Sequence, residues 1–381
     1  MANELLSFPI GITVRIVIPL LGFGRAGGFR VLSQLATSWH RAGHHVTFLV
    51  DAAEGNTVPY FPTEASICII ENRGAWLKQG SLAKVERVIR GLTRLGRTLS
   101  NLYRDWDVIL ASRDLTAYPV RFNSSNASRF YYIQAYEPDF YLGRGVPSGQ
   151  RIFEYGLGWL SRWSYKLNLN RVVNSPLYMN YEEISATKWV PPGIDQTLFC
   201  PAGREGRREG RREGRFVVGC IGRKESVKGT SALVEGFLLA RLQDPSLCLR
   251  LAFNAPSATL WDPLCMEVVL PGNDHELAEF YKSCDAFIAF GTHQHGAFHY
   301  PTMEALACGV PLISSPYLPA NDDNAWVIRT SSPIDIADKI LEFRRASKAA
   351  ITARIKNGLD CARDFAWNRV AQQMCELFQT R

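Results

Sequence analysis

The first pattern with chemical meaning is a glycine-rich turn, GFGRAG at residues 22–27, which follows an apolar run. Its G-x-G-x-x-G spacing lets the backbone approach a pyrophosphate at the start of a helix, and Asp51, after the next apolar run, would bind a ribose in a dinucleotide site. Any phosphate-contacting turn, or a tight turn without a ligand, favours the same glycines. Because Gly28 extends the run, we expect Gly27 and Gly28 to present free backbone amides at a helix start.

Two basic residues flank a loop in the second half of the chain, GRKESVKG at residues 222–229. Arg223 and Lys228 would lie on either side of this loop, which follows a strand and leads into a helix. Two fixed cations and a helix N-terminus can bind a diphosphate without a metal. The alternative is a solvated charged loop, and this motif alone does not decide between the two.

The most specific segment is FGTHQHGAFHYPTMEALACGVP at residues 290–311, which reads as strand, loop, helix and strand. We expect Thr302 to be the first helical residue after Pro301, which places Glu304 in the first turn. A carboxylate there normally caps the helix. Alternatively, Glu304 accepts hydrogen bonds from the paired hydroxyls of a ribose in the crevice outside the strand ends.

Two patterns resemble metal sites without completing one. His293, His295 and His299 have the spacing H-x-H-x3-H, but no suitably placed carboxylate or cysteine joins them apart from Glu304. The D-x-D pair at residues 105–107 immediately precedes a strand, where its second aspartate would end a turn. We therefore predict no metal site.

The elements that must position these residues alternate between strands and helices, which indicates parallel sheets with crossover helices. Apolar runs predict strands and three- or four-residue apolar spacing predicts helices. In the first half these elements cover residues 14–21, 29–41, 45–50, 65–70, 82–103, 107–111 and 130–133. In the second half they cover residues 216–222, 231–242, 247–253, 276–283, 286–290, 302–307, 310–314, 334–344, 349–364 and 365–381. The sequence thus predicts an α/β protein with two doubly wound domains.

The boundary between the halves is marked by PPG at 191–193 and by GREGRREGRREGR at 203–215. The latter segment has six Arg and three Glu, and so supplies +3 of the formal net charge of +7. Such a repeat cannot bury a core, so we expect an exposed, flexible insertion, with a binding tail as the alternative. The remaining chain is only mildly basic, which does not favour nucleic-acid binding.

Composition limits the class of protein further. Hydrophobic residues make up 46% and charged residues 21% of the chain, as expected for a globular protein with a core. Nine cysteines without a C-x-x-C pair favour reduced thiols over a disulfide framework or a zinc site. The first residues show no basic and apolar pattern of a secretory signal, and no apolar run is long enough for a membrane span. We expect a cytoplasmic protein.

Taken together, these segments resemble GT-B glycosyltransferases of glycosyltransferase family 4. The resemblance covers most of the chain and rests on five segments in the family's order. They are the Gly27-Gly28 turn with its helix, R-A-G-H-x-V at 41–46, PPGID at 191–195, the G-R-x4-K-G loop, and ELAEFYKSCD at 276–285 followed by a strand and PTMEALACGVP. The implied fold is two Rossmann-like doubly wound domains with an interdomain cleft.

The resemblance implies a division of the chain and a reaction. Residues 1–190 would form an acceptor-side domain, 191–215 a linker, 216–364 a nucleotide-sugar-binding domain, and 365–381 a helix that crosses back to the first domain, with Phe365 and Trp367 as anchors. The implied activity is a hexosyl transfer with retention at the anomeric carbon. It requires no cofactor, because the nucleotide sugar is itself a substrate. It requires no metal, because two fixed cations can bind the diphosphate.

By motif match, Arg223 and Lys228 would hold the donor diphosphate and Glu304 its ribose, while Gly27 and Gly28 would face the diphosphate from the other side. The loop expected to line the phosphate and the donor sugar comprises Ala297, Phe298, His299, Tyr300 and Pro301. Cations and amides fixed around the leaving group would stabilise the charge that develops as the glycosidic bond breaks.

Two departures from the family pattern affect the catalytic residues. The family's E-x7-E loop would begin at Gly296, so we expect His295 or His299 to take the place of the missing carboxylate. YIQAYEPDFY at 132–141 resembles the I-Q-D-x-E-x-x-F-Y segment of a bacterial polysaccharide and rhamnosyltransferase branch, with alanine replacing its aspartate. Gln134 and Glu137 would lie near the acceptor and position a hydroxyl nucleophile; alternatively, Glu137 only caps a loop.

The expected partners are a nucleotide-diphosphate-sugar donor and a glycan or lipid-linked acceptor. The basic helix at residues 84–104 would either rest on an anionic membrane, at the inner face of the cytoplasmic membrane, or form a solvated face. Two other functions remain open. One is a non-catalytic nucleotide- or glycan-binding protein, suggested by the two departures; the other is an NAD(P)-dependent oxidoreductase built on residues 22–27 and Asp51.

Overall fold

The computed structural model describes residues 13–52, 56–71, 81–101, 106–141, 148–201, 214–224 and 229–379. The chain divides into two compact units. Unit 1 comprises Met1–Gly193 and Trp367–Arg381, and unit 2 comprises Ile194–Ala366. Most of the Arg/Glu/Gly segment at 203–215, for which we expected an exposed insertion, lies outside the described residues.

Unit 1 is built on a parallel sheet of seven strands in the order β3-β2-β1-β4-β5-β6-β7. The apolar runs form the central strands because helices cover both faces of a parallel sheet. The strands are β1 (Arg15–Leu20), β2 (His45–Asp51), β3 (Ser66–Ile70), β4 (Val108–Ala111), β5 (Ser128–Ile133), β6 (Asn170–Val173) and β7 (Lys188–Trp189).

The helices of unit 1 form two contacting groups. The first contains α1 (Gly27–Arg41) and the last helix of the chain, α10 (Trp367–Gln379); the second contains α2 (Ser81–Asn101), α3 (Asp114–Phe122) and α4 (Ser148–Ser164). Helix α10 is held by Trp39, whose indole N–H donates to the Ala371 carbonyl oxygen at 2.9 Å, and by the Phe378 ring, whose centroid lies 5.7 Å from that of Trp39. Phe365 is not an anchor of this helix. It packs in unit 2 against Phe298, with ring centroids 5.2 Å apart.

Unit 2 contains a parallel sheet of six strands in the order β10-β9-β8-β11-β12-β13. The strands are β8 (Phe216–Ile221), β9 (Leu247–Ala252), β10 (Met266–Val269), β11 (Ala286–Ala289), β12 (Leu312–Ser314) and β13 (Trp326–Val327). The helices are α5 (Thr230–Gln243), α6 (Asp274–Lys282), α7 (Tyr300–Ala307), α8 (Pro333–Arg345) and α9 (Lys348–Arg363). The expected α/β fold with two Rossmann-like domains is confirmed. None of the helices in the described ranges combines the length and the apolarity that crossing a bilayer requires.

Candidate functional site

The carboxylate of Glu304 lies in the middle of α7 rather than in its first turn. The helix begins at Tyr300, with His299 as its N-cap in extended conformation, so the expected start at Thr302 is wrong. Pro301 fits inside the first turn because no intrahelical partner is needed for an amide there. Glu304 is therefore the fifth helical residue, and it cannot serve as the cap that the sequence offered as an alternative.

Glu304 is held in place by a tyrosine from α6. Its side chain is 3% exposed, and the hydroxyl of the fully buried Tyr281 donates to Glu304 Oε2 at 2.8 Å. Burial, followed by the charge of Glu304, raises the pKa of Tyr281 well above its ordinary value, so the phenol remains a donor. The carboxylate is thus a pre-oriented hydrogen-bond acceptor.

Arg223 follows β8 and lies at the same end of unit 2. Its backbone N–H donates to Thr230 Oγ1 at 3.0 Å, and the positive charge of its exposed side chain acts on Tyr281. The preceding residue must be glycine, since a Cβ at Gly222 would lie 1.9 Å from the Asn254 carbonyl oxygen. The structure therefore brings Arg223 close to the Tyr281–Glu304 pair. Lys228 lies outside the described residues.

The histidines expected to replace the missing carboxylate belong to one aromatic cluster around Tyr317. The His299 ring stacks on Tyr317 at 4.5 Å between centroids, and the His295 ring meets its edge at 5.6 Å. The Tyr317 hydroxyl donates to the His293 carbonyl oxygen at 2.7 Å, and burial raises the pKa of that tyrosine. His295 Nε2 lies 3.0 Å from the Gly291 carbonyl oxygen, to which it donates. The cluster fixes the orientation of both rings.

The backbone of the adjoining loop is equally constrained. Gly296, at the position where the family has glutamate, has a φ of 89°, in the left-handed region that favours glycine. Its N–H donates to the Pro316 carbonyl oxygen at 2.7 Å. Ala297 accepts a hydrogen bond from the Leu318 N–H at 2.9 Å, and Phe298 pairs with the same strand-like segment. A glutamate at position 296 would be strained in this conformation.

Nothing in the described chain gathers three or more His, Cys, Asp or Glu side chains in the geometry of a metal site. Each of the three histidines has a local partner. The His293 ring contacts the Thr292 hydroxyl, the His295 ring donates to the Gly291 carbonyl oxygen, and the His299 ring stacks on Tyr317. The H-x-H-x3-H spacing is therefore accounted for by the structure of the loop.

In unit 1, the glycine turn opens α1 as expected. Gly27 is the first helical residue, and the N-cap Ala26 provides no side-chain acceptor, which leaves first-turn amides for other partners. A Cβ at Gly27 would meet nothing within 4 Å, whereas one at Gly28 would lie 3.3 Å from the Gln134 amide. Gln134 Nε2 donates to the Gly28 carbonyl oxygen at 3.3 Å. The structure thus brings Gly28 and Gln134 together.

Asp51 is not positioned for a ribose. It is fully buried, and its two carboxylate oxygens accept hydrogen bonds from Arg94 Nε at 2.7 Å and Nη2 at 2.8 Å. A buried ion pair of this kind leaves no surface to a ligand. The expectation that Asp51 binds a ribose is wrong, and with it the oxidoreductase alternative loses its acidic residue.

Glu137 is enclosed by protein in this structure, and its placement near a substrate hydroxyl stays a prediction. Its side chain is 4% exposed, its carboxylate accepts a hydrogen bond from Tyr131, and its own N–H donates to the Tyr165 hydroxyl at 3.0 Å. Burial, followed by the charge of Asp114, raises its pKa well above the ordinary value. Glu137 therefore holds the end of β5 in place through these hydrogen bonds.

This assignment predicts a pH-dependent effect of Glu137→Gln. Because the pKa is raised in the folded state, the wild-type carboxyl stabilises the fold fully below the unfolded-state pKa, and this stability is lost as the pH rises through the folded-state pKa. Glutamine does not ionise. Urea unfolding should give similar free energies for the two proteins at about pH 4.5 and a more stable variant at about pH 8. A difference that does not grow with pH contradicts the assignment.

Two residues near this region were not identified from the sequence. Arg113 and Asp114 follow β4, and together with Tyr141, the last residue of the YIQAYEPDFY segment, they line a cavity of about 360 Å³ within unit 1. No motif marks Arg113 or Asp114. Their position after a parallel strand was the available signal, because ligands bind outside the carboxyl ends of such strands.

Comparison with known proteins finds a family match within the second unit. Residues 215–345 match the family described as glycosyl transferases group 1. The chain is 26% identical over 209 residues to a D-inositol 3-phosphate glycosyltransferase of Stackebrandtia nassauensis, over 48% of this chain and 46% of that protein. It is 28% identical over 235 residues to the O-antigen biosynthesis protein RfbC of Myxococcus xanthus, over 58% of this chain and 16% of RfbC.

The chain thus spans about half the length of the first of these relatives and a smaller part of the second. The fold is similar over nearly the whole chain to that of Anabaena HepE, solved in complex with UDP and glucose. The TM-score is 0.66 and the identity 14%, with coverage of 97% of this chain and all of HepE. The protein has the fold of GT-B glycosyltransferases, and its residues 215–345 match the glycosyl transferases group 1 family.

Proposed function

We propose that this protein transfers a hexose, with retention at the anomeric carbon, from a nucleoside-diphosphate sugar to a hydroxyl of a glycan or lipid-linked acceptor. The observation that carries the proposal is the Tyr281–Glu304 pair, on which the positive charge of Arg223 acts. These residues lie inside the segment that matches the glycosyl transferases group 1 family. Pre-oriented acceptors and a nearby cation are what binding the ribose and the diphosphate of a nucleotide requires.

In this reaction Glu304 accepts hydrogen bonds from the ribose hydroxyls, and Arg223 and Lys228 hold the diphosphate. No metal is needed, because the two cations offset the charge that develops on the leaving diphosphate. Rigidity of the loop supports a role for the backbone at Ala297–Pro301 beside the phosphate and the donor sugar. The contribution of Gly27 and Gly28 to the diphosphate, and the cleft that the family resemblance implies, stay predictions.

Polysaccharide synthesis in the family 4 branch is the setting that we propose. RfbC, a relative of this chain, is described as an O-antigen biosynthesis protein. Gln134, which contacts Gly28, and the His295–Tyr317–His299 cluster provide polar groups for the acceptor hydroxyl and the donor sugar, respectively.

We also propose that unit 1 contacts an anionic membrane. Helix α4 exposes Trp159 and Trp163, with ring centroids 5.3 Å apart, and the Lys166 ammonium lies 5.1 Å from the Trp163 ring centroid. Exposed cations on α2 include Arg87 and Arg97. The side chains of Lys84 and Arg104, also expected in this contact, lie outside the described residues. Exposed tryptophans flanked by cations are typical of the membrane interface.

Sedimentation with vesicles tests this contact. The protein should bind vesicles of phosphatidylglycerol and phosphatidylcholine, and less so as salt is raised. Replacing Trp159 and Trp163 together by serine should reduce the bound fraction severalfold. The matched control is Leu242→Ser, an apolar side chain of unit 2 that is 81% exposed. Equal binding by both variants, or none by the wild type, overturns the proposal.

The activity itself is tested first by melting temperature against UDP, GDP, dTDP, ADP, NAD and NADP without added metal. A ligand at a hundred times its dissociation constant stabilises the fold by about 2.7 kcal/mol, which corresponds to a few degrees. We expect a shift with one nucleoside diphosphate, followed by sugar transfer from the matching donor. A shift only with NAD or NADP overturns the proposal, and nucleotide binding without turnover or donor hydrolysis favours the non-catalytic alternative.

A further inference from the structure

The cavity of unit 1 has features that the donor site does not use. It lies beyond the carboxyl ends of β1 and β4 and has a volume of about 360 Å³. Small-molecule sites usually measure about 300–1,000 Å³, so one sugar ring and its linkage fit. Much of its wall is apolar, formed by Leu20, Leu21, Phe23, Phe29, Leu115 and Leu157.

One oxygen of a buried carboxylate in the cavity wall lacks a hydrogen-bond donor. Asp114 is 1% exposed, and its Oδ1 accepts a hydrogen bond from the Leu115 N–H at 2.8 Å. Its Oδ2 is buried and has no hydrogen-bond partner among the residues that the structure describes. Leaving a buried acceptor unsatisfied destabilises the fold, and more so when the acceptor is charged. A ligand in the cavity that donates a hydrogen bond to Oδ2 would remove this destabilisation.

The charges around the cavity balance each other. Arg113, next in sequence to Asp114, has an exposed side chain that lines the same cavity, and its charge is coupled to those of Asp114 and Glu137. Tyr141 adds a hydroxyl, which is coupled to the Asp114 carboxylate. A phosphorylated or carboxylated ligand would meet the negative Asp114, and an amine would meet the positive Arg113. An uncharged ligand that both donates and accepts hydrogen bonds satisfies Asp114 and Arg113 together.

We propose that this cavity binds a neutral, hydroxyl-rich sugar ring, with Asp114 accepting hydrogen bonds from its hydroxyls and Arg113 donating to them. The apolar wall packs against the C–H face of the ring. The inference rests on the proposed function, in which the ring is the terminal sugar of the acceptor. Asp114 and Arg113 then determine acceptor specificity, and the reaction uses an uncharged acceptor end.

Saturation-transfer NMR on the full chain tests binding without a donor. The probes are methyl glycosides of common neutral hexoses, the corresponding hexose 6-phosphates, and glucosamine. At least one neutral glycoside should bind, more tightly than its charged counterparts. Asp114→Asn should weaken its binding tenfold or more. The matched control is Asp139→Asn, an exposed aspartate that does not line the cavity. The proposal is overturned if a phosphorylated ring binds more tightly than the neutral glycosides, or if no neutral glycoside binds.

A second variant covers the case in which Asp114→Asn fails to fold. Leu157→Trp fills the cavity from its apolar wall and should also abolish glycoside binding. In both variants the melting shift with the nucleoside diphosphate should equal that of the wild type. Loss of that shift in the wild type would mean that the proposed function fails. A normal shift together with unchanged glycoside binding in both variants would mean that only the cavity assignment fails.

Discussion

Replacing Glu304 by glutamine should lower kcat/KM for sugar transfer about a hundredfold. The carboxylate is buried and fixed by Tyr281, and each charge-assisted hydrogen bond from a ribose hydroxyl contributes roughly 1.5–3 kcal/mol. A hundredfold change corresponds to about 2.7 kcal/mol. Because the ribose is remote from the bond that breaks, the loss should raise the donor KM more than it lowers kcat. Steady-state kinetics with varied donor at saturating acceptor measures the two separately.

A purely structural role for Glu304 makes a different prediction, and Tyr281→Phe distinguishes the two. This substitution removes the hydrogen bond that orients Glu304, which should cost about 1 kcal/mol of stability, and it keeps the carboxylate. We expect a smaller increase in donor KM than for Glu304→Gln. If Glu304→Gln lowers the melting temperature but leaves the nucleotide-induced shift intact, Glu304 serves only as a partner of Tyr281 and the ribose assignment fails.

The fold could be predicted from the sequence wherever strands and helices have a strong apolar pattern. Most residues of β1 and β2 are buried on both faces, and α10 places Val370, Met374 and Phe378 on one buried face. β7 and β13 were missed because two residues are too short for a periodic signal. α3 was missed because Pro119 lies inside it, and proline in a sequence argues against a helix interior.

The site was predictable to the extent that local sequence determines it. Arg223 and Glu304 belong to continuous motifs, and the structure brings them to the same Tyr281 side chain. The ribose role of Asp51 failed because a partner distant in sequence decides it: Arg94 on α2 encloses the Asp51 carboxylate at the end of β2. Spacing along the chain carries no information on such contacts.

The same reasoning explains why the residues around the unit 1 cavity escaped notice. Arg113 and Asp114 form no recognisable pattern, and their importance follows from burial and an unsatisfied oxygen. Glu137, which does match a family segment, is coupled through its charge to both of them from inside the protein. The buried motif residue Glu137 thus lies behind the two residues that line the cavity, and Tyr141 of the same motif lines it directly.

Arg223→Ala should also lower kcat/KM about a hundredfold, but through kcat. The charge of the guanidinium acts on Tyr281, and Arg223 follows β8, where the diphosphate is proposed to bind. Negative charge on the diphosphate grows as the glycosidic bond breaks, so a fixed cation stabilises the transition state more than the bound donor. Removal of a charge-assisted contact of roughly 2–3 kcal/mol gives this factor. Lys228→Ala should have a similar effect, and single-turnover kinetics would show it in the chemical step.

The neighbouring Lys224 provides a matched control. It has the same charge and is also exposed, but it does not belong to the pair of cations assigned to the diphosphate. Lys224→Ala should change kcat by less than about threefold, since an exposed cation outside the contact contributes about 0–1 kcal/mol. If Arg223→Ala and Lys224→Ala have equal effects, the loop acts only through its general positive potential. The losses of kcat caused by the two substitutions should then decrease in parallel as ionic strength rises. If Arg223 contacts the diphosphate directly, most of the loss caused by Arg223→Ala should persist in high salt.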